Sequence, residues 1–124
     1  MNDAAVNPAT TGENIKKILT SVHELDADAV AMIVTTMVPN NLATNGWYGN
    51  QENQEKAMTK FANQLKAAGM PTAITKMTSM SLSVLDYKEF LDYTGNNINH
   101  PNDFFNRVYA QTLLQSLIGY ENIK

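Results

Sequence analysis

The last predicted helix of the chain, residues 102–118, carries apolar side chains on two opposite sides. Its spacing is helical throughout, and successive residues are about 100° apart, so the apolar stripe rotates by roughly half a turn along the helix. A helix that covers one core keeps a single stripe. This helix must therefore be covered from two directions, either by its own bundle or by another chain. The first half contributes Phe104, Phe105, Val108 and Tyr109, which we expect in the core, and the second half contributes Leu113, Leu114, Leu117 and Ile118.

The length of 124 residues predicts one domain with a core of its own. The chain has no cysteine, which excludes disulfides, thiol nucleophiles and cysteine-bound metals. We expect residues 1–10 to form an N-terminal arm, residues 11–119 a helical domain, and residues 120–124 a short C-terminal tail.

The charge balance argues against nucleic acid as a partner. The formal net charge is −3 and Arg107 is the only arginine, whereas nucleic-acid-binding domains present a basic surface. No apolar stretch approaches the length of a membrane span, and the N-terminus lacks the basic and apolar regions of a signal peptide. We therefore expect no nucleic-acid or membrane partner, and a location in the cytoplasm or in a particle assembled there.

Two further segments have clear helical periodicity. A helix is predicted from Thr10 onward, because Glu13 completes a capping box and the apolar stripe that follows extends to Leu25. Another helix is predicted over residues 52–68, with Gly69 in a C-terminal capping position. The expected core residues of this second helix are Met58, Phe61, Ala62 and Leu65.

The segment between these two helices, residues 26–39, allows two interpretations. Its apolar residues share one helical face, but a β-branched run of this kind is also typical of a buried strand. We favour a helix because Asp28, Thr35 and Thr36 gather on the opposite side, which strict alternation would not produce. The apolar face of this helix would consist of Val30, Ile33, Val34, Met37 and Val38.

Residues 72–95 combine helical and alternating spacing. Ile74 and Met77 are spaced as on a helix, whereas residues 80–84 alternate between apolar and polar. Because a lone strand would have no partner, we predict a short helix, an extended link, and a further helix that begins at Ser83 and ends at Gly95. The resulting fold class is all-α: a single-domain bundle of five or six helices with one long loop that carries the tryptophan.

Residues 39–51 form that long loop and are dense in turn-forming residues. A loop of this length is uncommon inside a compact domain and is often functional. Trp47 and Tyr48 lie between two glycines in this loop. They form either a finger that docks on a protein partner, or a plug that covers one end of the bundle.

The connection over residues 92–103 has a spacing that partly matches a calcium-binding loop. The match fails because Asn97 stands where the EF-hand loop requires glycine and Asp103 replaces its bidentate glutamate. His100 and Asp103 together resemble an oriented imidazole, but no nucleophile or second acid accompanies them. The sequence also lacks nucleotide-binding and nucleophile-elbow motifs, so we predict no catalytic residue, metal or cofactor.

These observations favour a non-enzymatic protein that functions through its surface. We expect an interaction or assembly protein, such as a subunit of a larger particle or virion, an adaptor or an inhibitor, with another protein or a second copy as its partner. The alternative is a helical bundle that binds a small apolar ligand, or a small enzyme with a site of scattered polar residues. The expected interaction residues are Trp47, Tyr48, Met77, Met80, Leu113, Leu114, Leu117 and Ile118.

Overall fold

The computed structural model describes residues 5–41 and 48–119. Within these ranges the chain forms five helices and two short strands, so it is mostly helical, as predicted, but it also contains a small sheet. None of the described helices combines the length and apolarity that crossing a membrane requires. In chain order the elements are α1 (Pro8–Leu25), β1 (Ala31–Val34), α2 (Gln51–Ala67), β2 (Thr72–Thr75), α3 (Met77–Leu85), α4 (Phe90–Tyr93) and α5 (Asp103–Ile118).

The two strands pair in parallel, with Ala31 opposite Thr72 and Val34 opposite Thr75. Parallel strands cannot be joined by a tight turn, and here the connection includes α2. That helix packs against α1 and β2, while α5 contacts β2 as well. The sheet therefore holds the N-terminal helices and the last helix together.

The helix predicted over residues 26–39 is wrong. Asp26 begins a turn in which its carboxylate accepts the N–H of Asp28 at 3.0 Å, and β1 follows this turn. The β-branched run fits a strand because such side chains pack well on a pleated surface, against side chains of the neighbouring strand and of the helices that cover the sheet. Thr35, which the helical interpretation placed on a solvated face, is buried and hydrogen-bonded. The partner of β1 is β2, in the segment that was predicted to be a short helix.

The order predicted for residues 72–85 is reversed. The segment expected to be a short helix is β2, and the segment expected to be an extended link lies within α3. The further helix predicted to begin at Ser83 and end at Gly95 is also wrong, because α3 ends at Leu85 and only four residues form α4. A capping box between Glu89 and Asp92 starts α4. The start of α3 depends on a side chain from α2, which local sequence does not reveal.

Helix α1 begins at Pro8, with the Asn7 side chain accepting the Ala9 N–H at 2.9 Å, so the last residues of the predicted arm belong to the helix. It crosses α2 closely at Gly12. A Cβ atom at this position would overlap the Phe61 ring, so only glycine allows the observed approach of the two helices.

An aliphatic cluster lies between the sheet and the first two helices. Its buried members are Ile33 of β1 with Met58 and Ala62 of α2, and Ile15 and Leu19 of α1 pack against them. The core residues predicted for α2 are confirmed, since Met58, Phe61, Ala62 and Leu65 are all buried.

An aromatic cluster occupies the other side of the molecule. Met37, Met77, Tyr93 and Phe105 are its fully buried members. The rings of Tyr93 and Phe105 are tilted, with centroids 4.8 Å apart, and Tyr109 meets Phe105 edge-on at 5.5 Å. Tilted and edge-on ring pairs stabilise a core by more than the burial of their apolar area alone.

Two phenols of the aromatic cluster bind the extended backbone that follows β1. The Tyr93 hydroxyl donates to the carbonyl of Val38 at 2.8 Å, and the Tyr109 oxygen accepts the N–H of Met37 at 2.9 Å. Burial raises the pKa of both phenols above the ordinary value, and for Tyr93 the neighbouring phenols of Tyr48 and Tyr109 raise it further. The extended segment is therefore held by protonated tyrosines.

The N-terminal half of α5 covers the aromatic cluster. Phe105 is fully buried, and Val108 and Tyr109 are half-buried and pack against the cluster. The prediction that Phe104 lies in the core is wrong, because its side chain is 41 % exposed. Its ring faces the Lys88 ammonium, which lies 5.4 Å from the ring centroid, a distance typical of a cation–π contact.

Candidate functional site

A buried carboxylate lies where β1, α2 and α3 meet. Glu55 of α2 accepts hydrogen bonds from the Thr35 hydroxyl at 2.6 Å and from the Thr78 N–H at 3.0 Å. It also accepts the Ser79 N–H at 3.1 Å and the Ser79 hydroxyl. The first N–H groups of a helix have no partner within the helix, and its N-terminus favours negative charge. Glu55 therefore caps α3 from another element.

Thr35 connects this carboxylate to the sheet. Its hydroxyl donates to Glu55 and accepts the N–H of Met77 at 2.8 Å, while its own N–H donates to the Thr75 carbonyl at 3.0 Å. The carboxyl end of β1 and the first residues of α3 are thus fixed relative to each other. A hydrogen-bonded buried network of this kind rigidifies its surroundings.

A cleft opens beside this network at the carboxyl end of β1. Its volume is about 120 Å³. Its lining residues come from the second half of β1, the residues that follow it, α1, α2 and the start of α3. Its apolar wall consists of Ile15, Ile33 and Met58, and Thr11, Thr36, Gln51 and Gln54 are among its polar lining residues.

The cleft suits a small neutral molecule. All its described lining side chains are uncharged, and the Glu55 carboxylate behind it is engaged by the N-terminus of α3. Its volume is near the ~150 Å³ of an engineered apolar cavity that holds benzene. Among residues 5–41 and 48–119, no three His, Cys, Asp or Glu side chains converge as a metal site would require.

A second candidate site is the exposed side of the last two turns of α5, formed by Leu114, Leu117 and Ile118, which we call the α5 face. Leu117 is 61 % exposed and Leu114 is 47 % exposed, and Ile118 lies beside them. No charged residue occurs from Val108 to the end of the helix. Leu113, the fourth predicted residue of this half, is half-buried. The α5 face is therefore apolar, uncharged and about half exposed in the part of the chain that the structure describes.

The remaining predicted interaction residues lie apart from the α5 face. Tyr48 is exposed, and Trp47 lies outside the described residues. Met77 is fully buried in the aromatic cluster, and Met80 packs against that cluster while half-buried. The structure thus brings three of the eight predicted residues together on one exposed surface.

The loop that partly matched a calcium site is held by its own backbone. The side-chain oxygen of Asn96 accepts the N–H groups of Ile98, Asn99 and His100, each at 3.0 Å. An oxygen with three donors around it is poorly placed to coordinate a cation. His100 is exposed and Asp103 begins α5, where a negative charge is favoured by the helix dipole.

Sequence reasoning missed Glu55 and the cleft. Glu55 shares the buried stripe of α2, since it precedes Met58 by three residues and Ala62 by seven. A carboxylate on an apolar stripe was the available signal. The cleft had no comparable signal, because β1 forms one of its walls and the sequence did not predict β1 as a strand.

Comparisons with known proteins add no relationship. No protein-family model, no curated protein and no solved structure matches this chain.

Proposed function

We propose that this chain is a non-enzymatic assembly protein that associates with further copies of itself through the α5 face. The observation that supports the proposal is the exposure of Leu114, Leu117 and Ile118 on one side of a helix whose N-terminal half packs on the aromatic cluster through Phe105. Fully burying a large apolar side chain contributes about 1.5–3 kcal/mol, and these three side chains still expose about half of their surface. A contiguous group of exposed apolar side chains is typical of an interaction surface.

A second copy is a suitable occupant of the α5 face. The helix has no charged side chain beyond Arg107, so two copies can approach without repulsion between like charges. Two such helices packed across a two-fold axis present the same apolar side chains to each other, which makes the contact self-complementary.

The test replaces Leu117 by lysine and measures self-association by sedimentation. A lysine near the C-terminus of a helix is favoured by the helix dipole, so Leu117→Lys preserves the fold. Two copies would then bring like charges together in an apolar contact. We expect the dissociation constant at this contact to rise by at least about tenfold, which corresponds to about 1.4 kcal/mol.

The matched control is Leu91→Lys on α4, because Leu91 is similarly exposed and receives the same charge. Its association should equal that of the wild type. A wild-type chain that sediments as a monomer at high concentration, or a Leu117→Lys variant that associates as the control does, contradicts the proposal.

The cleft supports a second candidate function, the binding of a small neutral apolar ligand. Its volume and uncharged lining favour a compound of about the size of benzene. A ligand that binds only the folded chain raises the melting temperature. Benzene and indole should raise it in the wild type and leave it unchanged in Ile15→Phe, in which the larger ring fills the cleft. Equal shifts in both proteins, or none in either, would exclude this function.

A further inference from the structure

The outer edge of β1 has backbone groups that no other strand of the described chain engages. On its inner side, Ala31 donates to the Pro71 carbonyl at 2.9 Å and Thr35 donates to the Thr75 carbonyl at 3.0 Å. Alternate residues of a parallel strand bond to the same neighbour. The N–H and C=O groups of Met32 and Val34 therefore point away from β2, and within residues 5–41 and 48–119 no hydrogen bond reaches them.

This edge is apolar and, although it is short, no charge, proline or bulge protects it. Val30 is 68 % exposed and Val34 is 44 % exposed. No charged residue occurs between Asp28 and Glu52. Natural sheets protect their edges with charged side chains, proline or bulges, and β1 has none of these.

We propose that β1 pairs in antiparallel orientation with β1 of a second copy, around a two-fold axis at Ile33. In this register Met32 lies opposite Val34 of the second copy, and Val34 lies opposite Met32 of the second copy. Each pair exchanges two backbone hydrogen bonds, so the contact forms four. The result is one four-stranded sheet in the order β2-β1-β1-β2.

The edge is self-complementary and uncharged, which suits a second copy as the occupant. Its two outward residues lie one on each side of Ile33, so the same segment in reverse satisfies all four donors and all four acceptors without remainder. The absence of charge along the segment removes repulsion between the copies. A two-stranded sheet is marginal by itself and gains stability when further strands are added.

This contact is independent of the α5 face. A chain with two separate self-complementary contacts forms assemblies larger than a dimer, because each copy binds two others. The wild type is therefore expected to sediment beyond the dimer, and loss of either contact alone is expected to leave dimers.

The first test combines two substitutions. Val34→Pro removes an outward N–H, and proline is tolerated on an edge strand whose N–H faces solvent. We expect Val34→Pro and Leu117→Lys each to give dimers and the double variant to give monomers, all with the helical circular dichroism of the wild type. If Val34→Pro proves unfolded, Val34→Lys takes its place, because an edge lysine opposes pairing without altering the backbone.

The results separate the two proposals. Unchanged sedimentation of the folded edge variant contradicts strand pairing, whereas unchanged sedimentation of Leu117→Lys contradicts the α5 face alone. Monomers from the edge variant by itself would support strand pairing and contradict the α5 face. A monomeric wild type contradicts both.

The second test measures the register with cysteines, which the natural chain lacks. Met32→Cys and Val34→Cys are purified separately, mixed and oxidised. Directly opposed residues have Cα atoms about 5.5 Å apart, within reach of a disulfide, whereas the same residue in both copies is offset beyond about 7 Å. The mixture should give at least fivefold more linked dimer than either variant alone. Equal linkage in all three samples, or no linkage in the mixture, overturns the proposed register.

Discussion

The aliphatic cluster and the aromatic cluster are built by different means. In the aliphatic cluster, apolar side chains of α1, β1 and α2 pack against one another, and these elements satisfy their own backbone groups within helices and the sheet. In the aromatic cluster, phenols also bind the irregular backbone at Met37 and Val38. The comparison shows that regular elements supply their own backbone hydrogen bonds, whereas an irregular buried segment needs polar side chains to supply them.

The largest expected effect on the free energy of unfolding comes from shortening a side chain of the aromatic cluster. Phe105→Ala removes the central ring of the aromatic cluster, which is fully buried, and should lower the free energy of unfolding by about 3–5 kcal/mol. Ile33→Val in the aliphatic cluster should cost only about 0.5–1.5 kcal/mol. Urea denaturation measures both. A Phe105→Ala cost no larger than that of Ile33→Val would show that the aromatic cluster is not a true core.

The next largest effect on the free energy of unfolding comes from Glu55, which joins α2 to the residue after β1 and to the start of α3. Glu55→Ala leaves the N–H groups of Thr78 and Ser79 without their acceptor and should lower the free energy of unfolding by about 1–3 kcal/mol. Glu52→Ala is the control, because Glu52 is exposed in the first turn of the same helix. Urea denaturation of the two variants gives the comparison. Equal stabilities would mean that the carboxylate contributes nothing beyond its position on α2.

The smallest expected effect on the free energy of unfolding appears only at alkaline pH and arises from the phenols of the aromatic cluster. Because burial raises the pKa of Tyr93 and Tyr109 in the folded chain, the unfolded chain loses its phenolic protons first as the pH rises. The stability from these groups is fully present below about pH 10 and falls above it. Tyr109→Phe should reduce this alkaline loss of urea resistance. Tyr87→Phe, at an exposed position, should leave the loss unchanged, and equal behaviour of the two variants would contradict the assignment.

The long helices α1, α2 and α5 could be predicted because each repeats its apolar residues over several turns. The sheet could not, since each strand has four residues and Thr35 bonds to a residue 40 positions later. A short apolar run does not by itself distinguish a strand from a buried helix, and its partner is not local. The start of α3 was missed for the same reason, because its cap comes from Glu55.

The candidate sites divide in the same way. Leu114, Leu117 and Ile118 could be located because their spacing on a single helix places them opposite the buried side chain of Phe105. The cleft and the β1 edge depend on the pairing of β1 with β2, so they could not. Met77 was misleading because its segment was assigned to the wrong elements.

The backbone partners of the segment that begins with β1 all come later in the chain. Thr35 bonds to Thr75, Val38 to Ser81 and Tyr93, Met37 to Tyr109, and Asn40 to Ile98. During synthesis on the ribosome this uncharged, β-branched stretch emerges well before any of them. Its sequence has the high β-propensity and low charge of segments that aggregate when exposed. The newly made chain therefore exposes this aggregation-prone segment without its hydrogen-bond partners until most of the chain has been translated.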